Sequence, residues 1–357
     1  MLKVALFGLG GVAQRIHLPA CRQVSDLRVV AACEPDERRR EQMSRRLGAA
    51  AIYPDARRLL EHETPDLVII GSPPDSHRDL ALLALGSGAH VLCEKPFARS
   101  VEEADEVIAA ARSAGRTVRV NNQYRYMPIY AETKRRAAAG EFGEPYFLQC
   151  WQQMLHPPDR ESNWRASLRQ STLYEFGTHA LDLACFFFDA LPEAVSAVIP
   201  RVPHTVDADV LVQATLRFPG GRLATFAFNR VSHAPMRYLE MRLDCRAASL
   251  RLSLGGVARV SLEWSAERRR PTLRASLARG GESRVERGGA SRTICREARP
   301  AFASATAEQL REMIGEIRAG RAGLERAEHA RDVLRVVFAG YESARTGETV
   351  WLGPRGG

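Results

Sequence analysis

The chain has 357 residues, 45% of them apolar, and a formal charge of +9; that length exceeds one small domain and makes roughly two the natural count. No run of about 18 apolar residues offers a membrane span, and the opening MLKVALFGLGG lacks a signal-peptide cleavage pattern, so the expectation is a cytoplasmic protein without a membrane partner. Seven scattered cysteines without CxxC spacing exclude a disulfide framework and a zinc site.

The positive charge is almost wholly arginine and thickens between Arg268 and Arg299, where no aromatic stands between Trp264 and Phe302. A nucleic-acid surface needs interleaved aromatics or a known module, so this stretch reads as a solvated strand-and-loop edge.

In chain order, KVALFG (3–8), LRVVAACE (27–34), DLVIIGS (66–72), AHVLCE (89–94) and RTVRVNN (116–122) are short continuous apolar runs, the mark of strands covered on both faces. Helix-like segments separate them: GVAQRIHL, PDERRREQMSRRLG, PDSHRDLALLALGSG and SVEEADEVIAAARSAG. The last two end in a C-capping Gly, and Ser100 with Glu103 forms a capping box. This alternation predicts a doubly wound α/β domain over 1–122.

From 123 to 357 the pattern predicts an α+β domain with a large, mostly antiparallel open sheet. Helices are expected at 128–140 and 172–188, then strands at 145–153, 194–200, 236–243 and 249–262. The runs VLVQATLRF and RLATFAFNRV form a hairpin about Pro219-Gly220-Gly221. Two helices follow at 306–319, where Thr306 and Gln309 make a second capping box, and at 324–345, and TVWL closes the chain as a strand. The broad sheet face offers a surface for a homodimer or homotetramer.

The turn after the first strand reads FGLGGVA, placing Gly8, Gly10 and Ala13 in a GxGxxA pattern with Gly11 and Val12 between. Glycines there permit a tight turn and close approach of a pyrophosphate, whose charge meets the positive end of the following helix. Glu34 closes the second strand, where a carboxylate takes the adenosine ribose hydroxyls. That acid favours NAD, while Arg38, Arg39 and Arg40 are placed to swing toward the 2′-phosphate of NADP.

The chain has 48 Arg and three Lys: Lys3, Lys95 and Lys134. Lys3 and Lys134 sit at surface addresses, but Lys95 follows an apolar strand between Glu94 and Pro96. Arginine holds its proton at any pH a protein meets, whereas a partly buried ammonium can release one. Lys95 is therefore the candidate proton-transfer group. A residue before proline is held extended, so it is aimed.

In YEFGTHALDLACFF, a helical reading puts Glu175, His179 and Asp182 on one face through steps of four and three. The other histidines, His17, His62, His90, His204, His233 and His329, show no ligand spacing, and no metal is expected.

The series GLGGVA, SPPDSH, GAHVLCEKP, NWR and EFGTHALD, with the terminal YESARTGETVWL, resembles the Gfo/Idh/MocA family of oxidoreductases, which includes glucose-fructose oxidoreductase and inositol dehydrogenase. The likeness runs across nearly the whole chain, and GAHVLCEKP is its most specific piece. It implies an N-terminal Rossmann domain, a C-terminal sheet domain and a substrate between them over the nicotinamide. It gives Lys95 and Pro96 the place of the lysine that approaches the reacting hydroxyl, often across a cis peptide, and it brings Glu94 and Lys95 to the nicotinamide ribose.

It makes His179 the partner of the lysine, helped by the acid four positions earlier. The family's usual acid is Asp, and here it is Glu175; one methylene moves the carboxylate by roughly an ångström, enough to alter a rate about a hundredfold. The family's glycine-rich run before this helix is replaced by Gln170-Ser171-Thr172. By the same resemblance Ser72, Pro74, His77 and Gln123 are coenzyme contacts, His77 reading equally as part of a helix-capping turn. Arg125, His156, Trp164 and Arg165 line the sugar pocket or read equally as domain-interface packing, and Asp182 reads as a structural or supporting acid behind them.

The activity these residues imply is NAD-dependent oxidation of a secondary alcohol on a sugar or cyclitol. Two alternatives stand beside it: a redox-neutral, NAD-using glycosidase of the same superfamily, and a non-catalytic NAD-sensing protein.

Overall fold

The short apolar runs without alternation form the inner strands of a parallel sheet. β1 (Leu2–Phe7), β2 (Leu27–Cys33), β3 (Ala51–Tyr53), β4 (Leu67–Ile70), β5 (His90–Cys93) and β6 (Val118–Val120) lie in the order β3-β2-β1-β4-β5-β6. Every neighbouring pair is parallel. Strand order reverses between β1 and β4, the switch point at which doubly wound sheets bind ligands. The edge strand β3, only three residues and half-buried, carries too weak a signal to be read from sequence.

The structure is a computed structural model that describes residues 1–156, 164–202, 208–233, 238–265, 270–278, 280–299 and 301–353; Asn163, His204 and Arg268 lie outside them. It divides into two compact units, residues 1–126 with 302–337, and residues 127–301 with 338–357.

In the first unit a π-helical turn, Ala13–His17, leads into α1 (Leu18–Arg22). Pro19 accounts for the wide turn: it has no N–H for the Arg15 carbonyl, and its ring would strike that carbonyl in a regular helix. The helices α2 (Glu37–Leu47), α3 (Ala56–His62), α4 (His77–Gly86) and α5 (Val101–Ala114) follow. Asp36, Asp55 and Ser100 cap α2, α3 and α5 by accepting from the N–H three residues on. Glu103, however, reaches the N–H of Arg99 and not that of Ser100, so half of the expected capping box forms.

α8 (Phe302–Arg318) belongs to this unit: its Ala307, Leu310, Met313 and Ile314 share one core with Val4, Leu6, Leu9 and Leu18. The helix starts four residues before Thr306, which corrects the capping-box reading. Thr306 Oγ1 donates to Asn121 Oδ1 at 3.2 Å and Gln309 Nε2 to the Val120 carbonyl at 2.6 Å, both buried. Polar residues that look like a cap therefore dock the helix onto the end of β6.

The second unit holds α6 (Pro128–Ala138), α7 (Thr178–Phe188) and a mixed sheet. Its strands are β7 (Pro145–Gln153), β8 (Ala194–Val198), β9 (Leu211–Phe218), β10 (Arg222–Asn229), β11 (Leu239–Cys245), β12 (Ser249–Leu254), β15 (Gly281–Arg287), β16 (Ala290–Glu297) and β17 (Val350–Trp351). The order is β16-β15-β12-β11-β7-β10-β9-β8-β17, antiparallel except where β7 meets β10. β13 (Val257–Ser265) and β14 (Arg270–Ala278) pair separately. The strand expected over 249–262 is two strands, β12 and β13, parted at Gly255, whose φ of 106° suits glycine.

Alternation sets the two faces. Leu148, Cys150, Val212, Ala214, Leu216, Phe226 and Phe228 are buried, with α7 against β7 and α6 against β15 and β16. The opposite face presents Trp151 and Leu223, 40% and 38% exposed. The arginine-rich stretch read as a solvated edge supplies three strands, and within it Glu282, 3% exposed, pairs with Arg284 and Arg296. α9 (Glu325–Thr346) spans the division between units. No helix among the described residues is long and apolar enough to cross a membrane.

Candidate functional site

The glycine-rich turn leaves β1 at the switch point. Gly8 has φ 91°, and a Cβ there would lie 3.0 Å from the Ser72 nitrogen, so β1 and β4 approach too closely for any side chain. A Cβ on Gly10 would meet nothing within 4 Å, which leaves that backbone open toward an incoming group. Gly11 is exposed with the Arg15 guanidinium laid over it, Val12 is half-buried, and Ala13 enters the core.

Glu34, 4% exposed, closes the turn. Its Oε2 accepts from the Leu9 N–H at 2.9 Å, and its Oε1 from the Asp36 N–H and Arg39 Nη1, both at 3.1 Å. Oε2 thus keeps acceptor capacity for a ribose hydroxyl. Arg39 rests on this carboxylate, and Arg40 donates to the Glu34 and Pro35 carbonyls.

β5 ends at Cys93 and delivers Glu94, Lys95 and Pro96 to the same edge of the sheet; the Lys95–Pro96 bond is cis. Glu94 is 6% exposed, yet its carboxylate is well supplied with donors. Oε1 faces His17 Nε2 at 2.9 Å and accepts from Asn121 Nδ2 at 2.7 Å, while Oε2 accepts from the Lys95 N–H at 3.1 Å. Burial alone would raise its pKa, but the bonds from His17 and Asn121 and the positive charge of Lys95 outweigh it and hold it at about 2. Lys95 itself is half-buried.

His77 is buried behind this turn. Its imidazole is 1% exposed, with Nδ1 2.9 Å from the Pro96 carbonyl and Nε2 2.9 Å from the Ser72 carbonyl. Burial lowers its pKa and favours the neutral ring. His77 therefore braces the Ser72 loop against the Lys95 turn and turns no polar atom outward. Ser72 binds Ser76 through its hydroxyl, and Pro74 is buried. Gln123, on the turn Gln123–Tyr126, is 4% exposed, and its Oε1 is buried without a hydrogen-bond partner among the described residues. The open backbone at Gly10 and this orphaned oxygen fit a dinucleotide laid across the strand ends. Arg125 contacts the His329 imidazole within the same unit.

In the second unit Glu175 does not share a regular helix with His179. It lies in a π-helical turn, Thr172–Phe176, and α7 begins after Gly177. No side chain is accommodated at Gly177: a Cβ would come 3.0 Å from the Leu173 carbonyl and 3.1 Å from Phe228. Glu175 Oε1 accepts from Arg165 Nε and Nη2, each at 3.1 Å, and the Arg165 guanidinium stacks 4.4 Å over Trp164. Trp164, Arg165 and Glu175 are thus brought together. His179 and Asp182 are buried in α7, 3% and 0% exposed. His156 is half-buried, its N–H on the Arg230 carbonyl.

Sequence reading missed the residues that hold these groups. Asp209 takes the N–H groups of Ser171 and Thr172 at 2.5 and 2.9 Å and the Tyr341 hydroxyl at 2.9 Å, anchoring the turn of Glu175 by its amino end. His17 has no ligand spacing to mark it, and Asn121 lies in a run with only a strand signal. Neither has a sequence signal, because each acts on a partner far along the chain.

Two family models match the chain: an oxidoreductase family with an NAD-binding Rossmann fold over residues 2–122, and the GFO/IDH/MocA C-terminal domain over residues 130–251. D-apiose dehydrogenase of Paraburkholderia graminis is 28% identical over 219 residues, 61% of this chain and 58% of that protein. Inositol 2-dehydrogenase of Rubrobacter xylanophilus is 30% identical over 232 residues, 63% of each chain. The matches thus span less than two thirds of either relative. Among solved structures, levoglucosan dehydrogenase in complex with NADH and levoglucosan has the same fold, with a TM-score of 0.82 at 19% identity, covering 98% of this chain and 99% of that one. With both domains matched and the glycine-rich turn built for a dinucleotide, the chain belongs to the Gfo/Idh/MocA family of NAD-binding oxidoreductases.

Proposed function

We propose that this protein oxidises a secondary alcohol of a sugar or cyclitol, or reduces the corresponding ketone, with Lys95 moving the hydroxyl proton. NAD, when bound, supplies the hydride acceptor. The observation that carries the reading is the placement of Lys95: half-buried, on a turn fixed by Glu94, at the strand ends that also carry the glycine-rich turn. The backbone at Gly10 and Gly11 receives the pyrophosphate, Glu34 Oε2 a ribose hydroxyl, and Gln123 Oε1 a donor from the nicotinamide end.

On the substrate side, the guanidinium of Arg165 and the ring of Trp164 present a polar edge and an apolar face to a sugar, with Glu175 fixing the guanidinium. His179 assists Lys95, and Asp182 supports α7 from within. The sugar and cyclitol dehydrogenases among the relatives support the substrate class. The exposed sheet face bearing Trp151 and Leu223 is the surface on which a second copy would sit.

A screen of sugars, sugar acids and inositols with NAD, followed by absorbance of the reduced nicotinamide, tests the activity. Formation of NADH with at least one of them is expected. A flat trace accompanied by release of sugar from a glycoside would point to the redox-neutral glycosidase. A flat trace with every compound and no release would contradict both.

A further inference from the structure

Outside the groups assigned to coenzyme and substrate, the structure contains a buried polar chain that reaches the Lys95 turn from behind. His17 is 0% exposed, Glu94 6%, Asn121 0% and Thr306 0%. The links run from His17 Nε2 to Glu94 Oε1 at 2.9 Å, from Asn121 Nδ2 to the same oxygen at 2.7 Å, and from Thr306 Oγ1 to Asn121 Oδ1 at 3.2 Å. Both ring nitrogens are buried and neither completes a hydrogen bond of good geometry, so Nε2 meets the carboxylate as a close polar contact at 2.9 Å. A carboxylate so far from water needs every donor it has. Removing one leaves a largely buried carboxylate short of a polar partner, and the group reorients. The oxygen left to turn away is the partner of Oε2, which holds the backbone N–H of Lys95.

His17 also closes the π-helical turn that begins at Ala13, within the coenzyme motif. We propose that His17 is a positioning residue: through its close contact with Glu94 it locks the Lys95–Pro96 turn and ties it to the glycine-rich turn, so that coenzyme seating and the aim of the Lys95 amine are set by one buried polar contact. The inference takes its functional meaning from the assignment of Lys95 to proton transfer. It is tested without substrate, so a failed activity screen and a failed positioning role are told apart.

The composition of the chain makes the test direct. With only three lysines, an amine-acylating reagent followed by peptide mass spectrometry reads Lys95 against two internal references, Lys3 and Lys134. Those references are bonded to Thr64 and Asp189, neither of which belongs to this network. His17→Leu removes the polar nitrogen that faces Glu94, and His17→Gln keeps a nitrogen near the position of Nε2. The expected result is a rise of about fivefold or more in Lys95 acylation relative to both references in His17→Leu, and a rate within about twofold of the parent in His17→Gln. An unchanged or lowered Lys95 rate in His17→Leu, or an equal rise in both variants, overturns the inference. Circular dichroism establishes that each variant is folded. If His17→Leu is not, His17→Asn, whose amide stops short of Glu94, takes its place in the same comparison.

Discussion

Lys95→Arg lowers kcat for sugar oxidation by about 10²–10⁴-fold, the range for loss of a positioned general base, while NAD affinity stays within about threefold of the parent. The substitution preserves the positive charge and removes the capacity to give up a proton near neutrality. A charge-pairing lysine would tolerate it. In a chain that uses arginine almost everywhere else, Lys95 stands on a half-buried turn whose preceding carboxylate is fixed by His17 and Asn121. The measurement is steady-state kinetics on the best compound from the screen, with NAD titrated separately. Parental turnover in Lys95→Arg would remove proton transfer from the account.

Arg119→Ala costs about 3–5 kcal/mol of stability, the usual penalty for breaking a buried ion pair from one side. Arg119 occupies the middle of β6 with no solvent exposure. Its Nε and Nη2 reach Glu316 at 3.1 and 2.6 Å, and its Nη1 reaches Glu312 at 2.9 Å. Both carboxylates come from α8, so the guanidinium is the polar bolt between that helix and the first sheet. Thermal unfolding should show a loss of roughly 6–20 °C in Tm for a unit of this size.

The same pair fixes an acid limit. Burial raises the pKa of Glu312, but hydrogen bonds from Arg119 and Tyr126 outweigh it and hold it at about 2. A carboxylate depressed in the folded state stabilises it fully above its unfolded value of about 4.3, and that contribution disappears as pH falls toward 2. The difference in stability between the parent and Arg119→Ala should therefore narrow over this window. A variant as stable as the parent at neutral pH would show that the pair does not hold α8.

What sequence can and cannot reveal follows from the range of the interactions. The parallel strands were legible because burial on both faces removes polar alternation, and the glycine-rich turn because close approach at Gly8 admits one residue type. Lys95 stood out through composition. By contrast, the packing of α8 in the first unit and the docking of Thr306 and Gln309 are not legible in the sequence, since a hydroxyl docking on Asn121 carries no local pattern. Glu175 and His179 were aligned on an ideal helix, but the π-helical turn adds a residue to the loop of hydrogen bonds and breaks that register. The supports, His17 for Glu94 and Asp209 for the Ser171 and Thr172 N–H groups in the turn of Glu175, lie 77, 38 and 37 residues from the groups they hold. Pairings at that separation exist only once the chain has folded.

The central claim is settled most directly by a crystal structure of the protein with NAD and the best substrate of the screen. The account predicts the Lys95 amine within hydrogen-bond reach, about 2.6–3.2 Å, of the hydroxyl on the carbon facing the nicotinamide. An amine directed into bulk solvent, remote from the coenzyme and the bound alcohol, would contradict it.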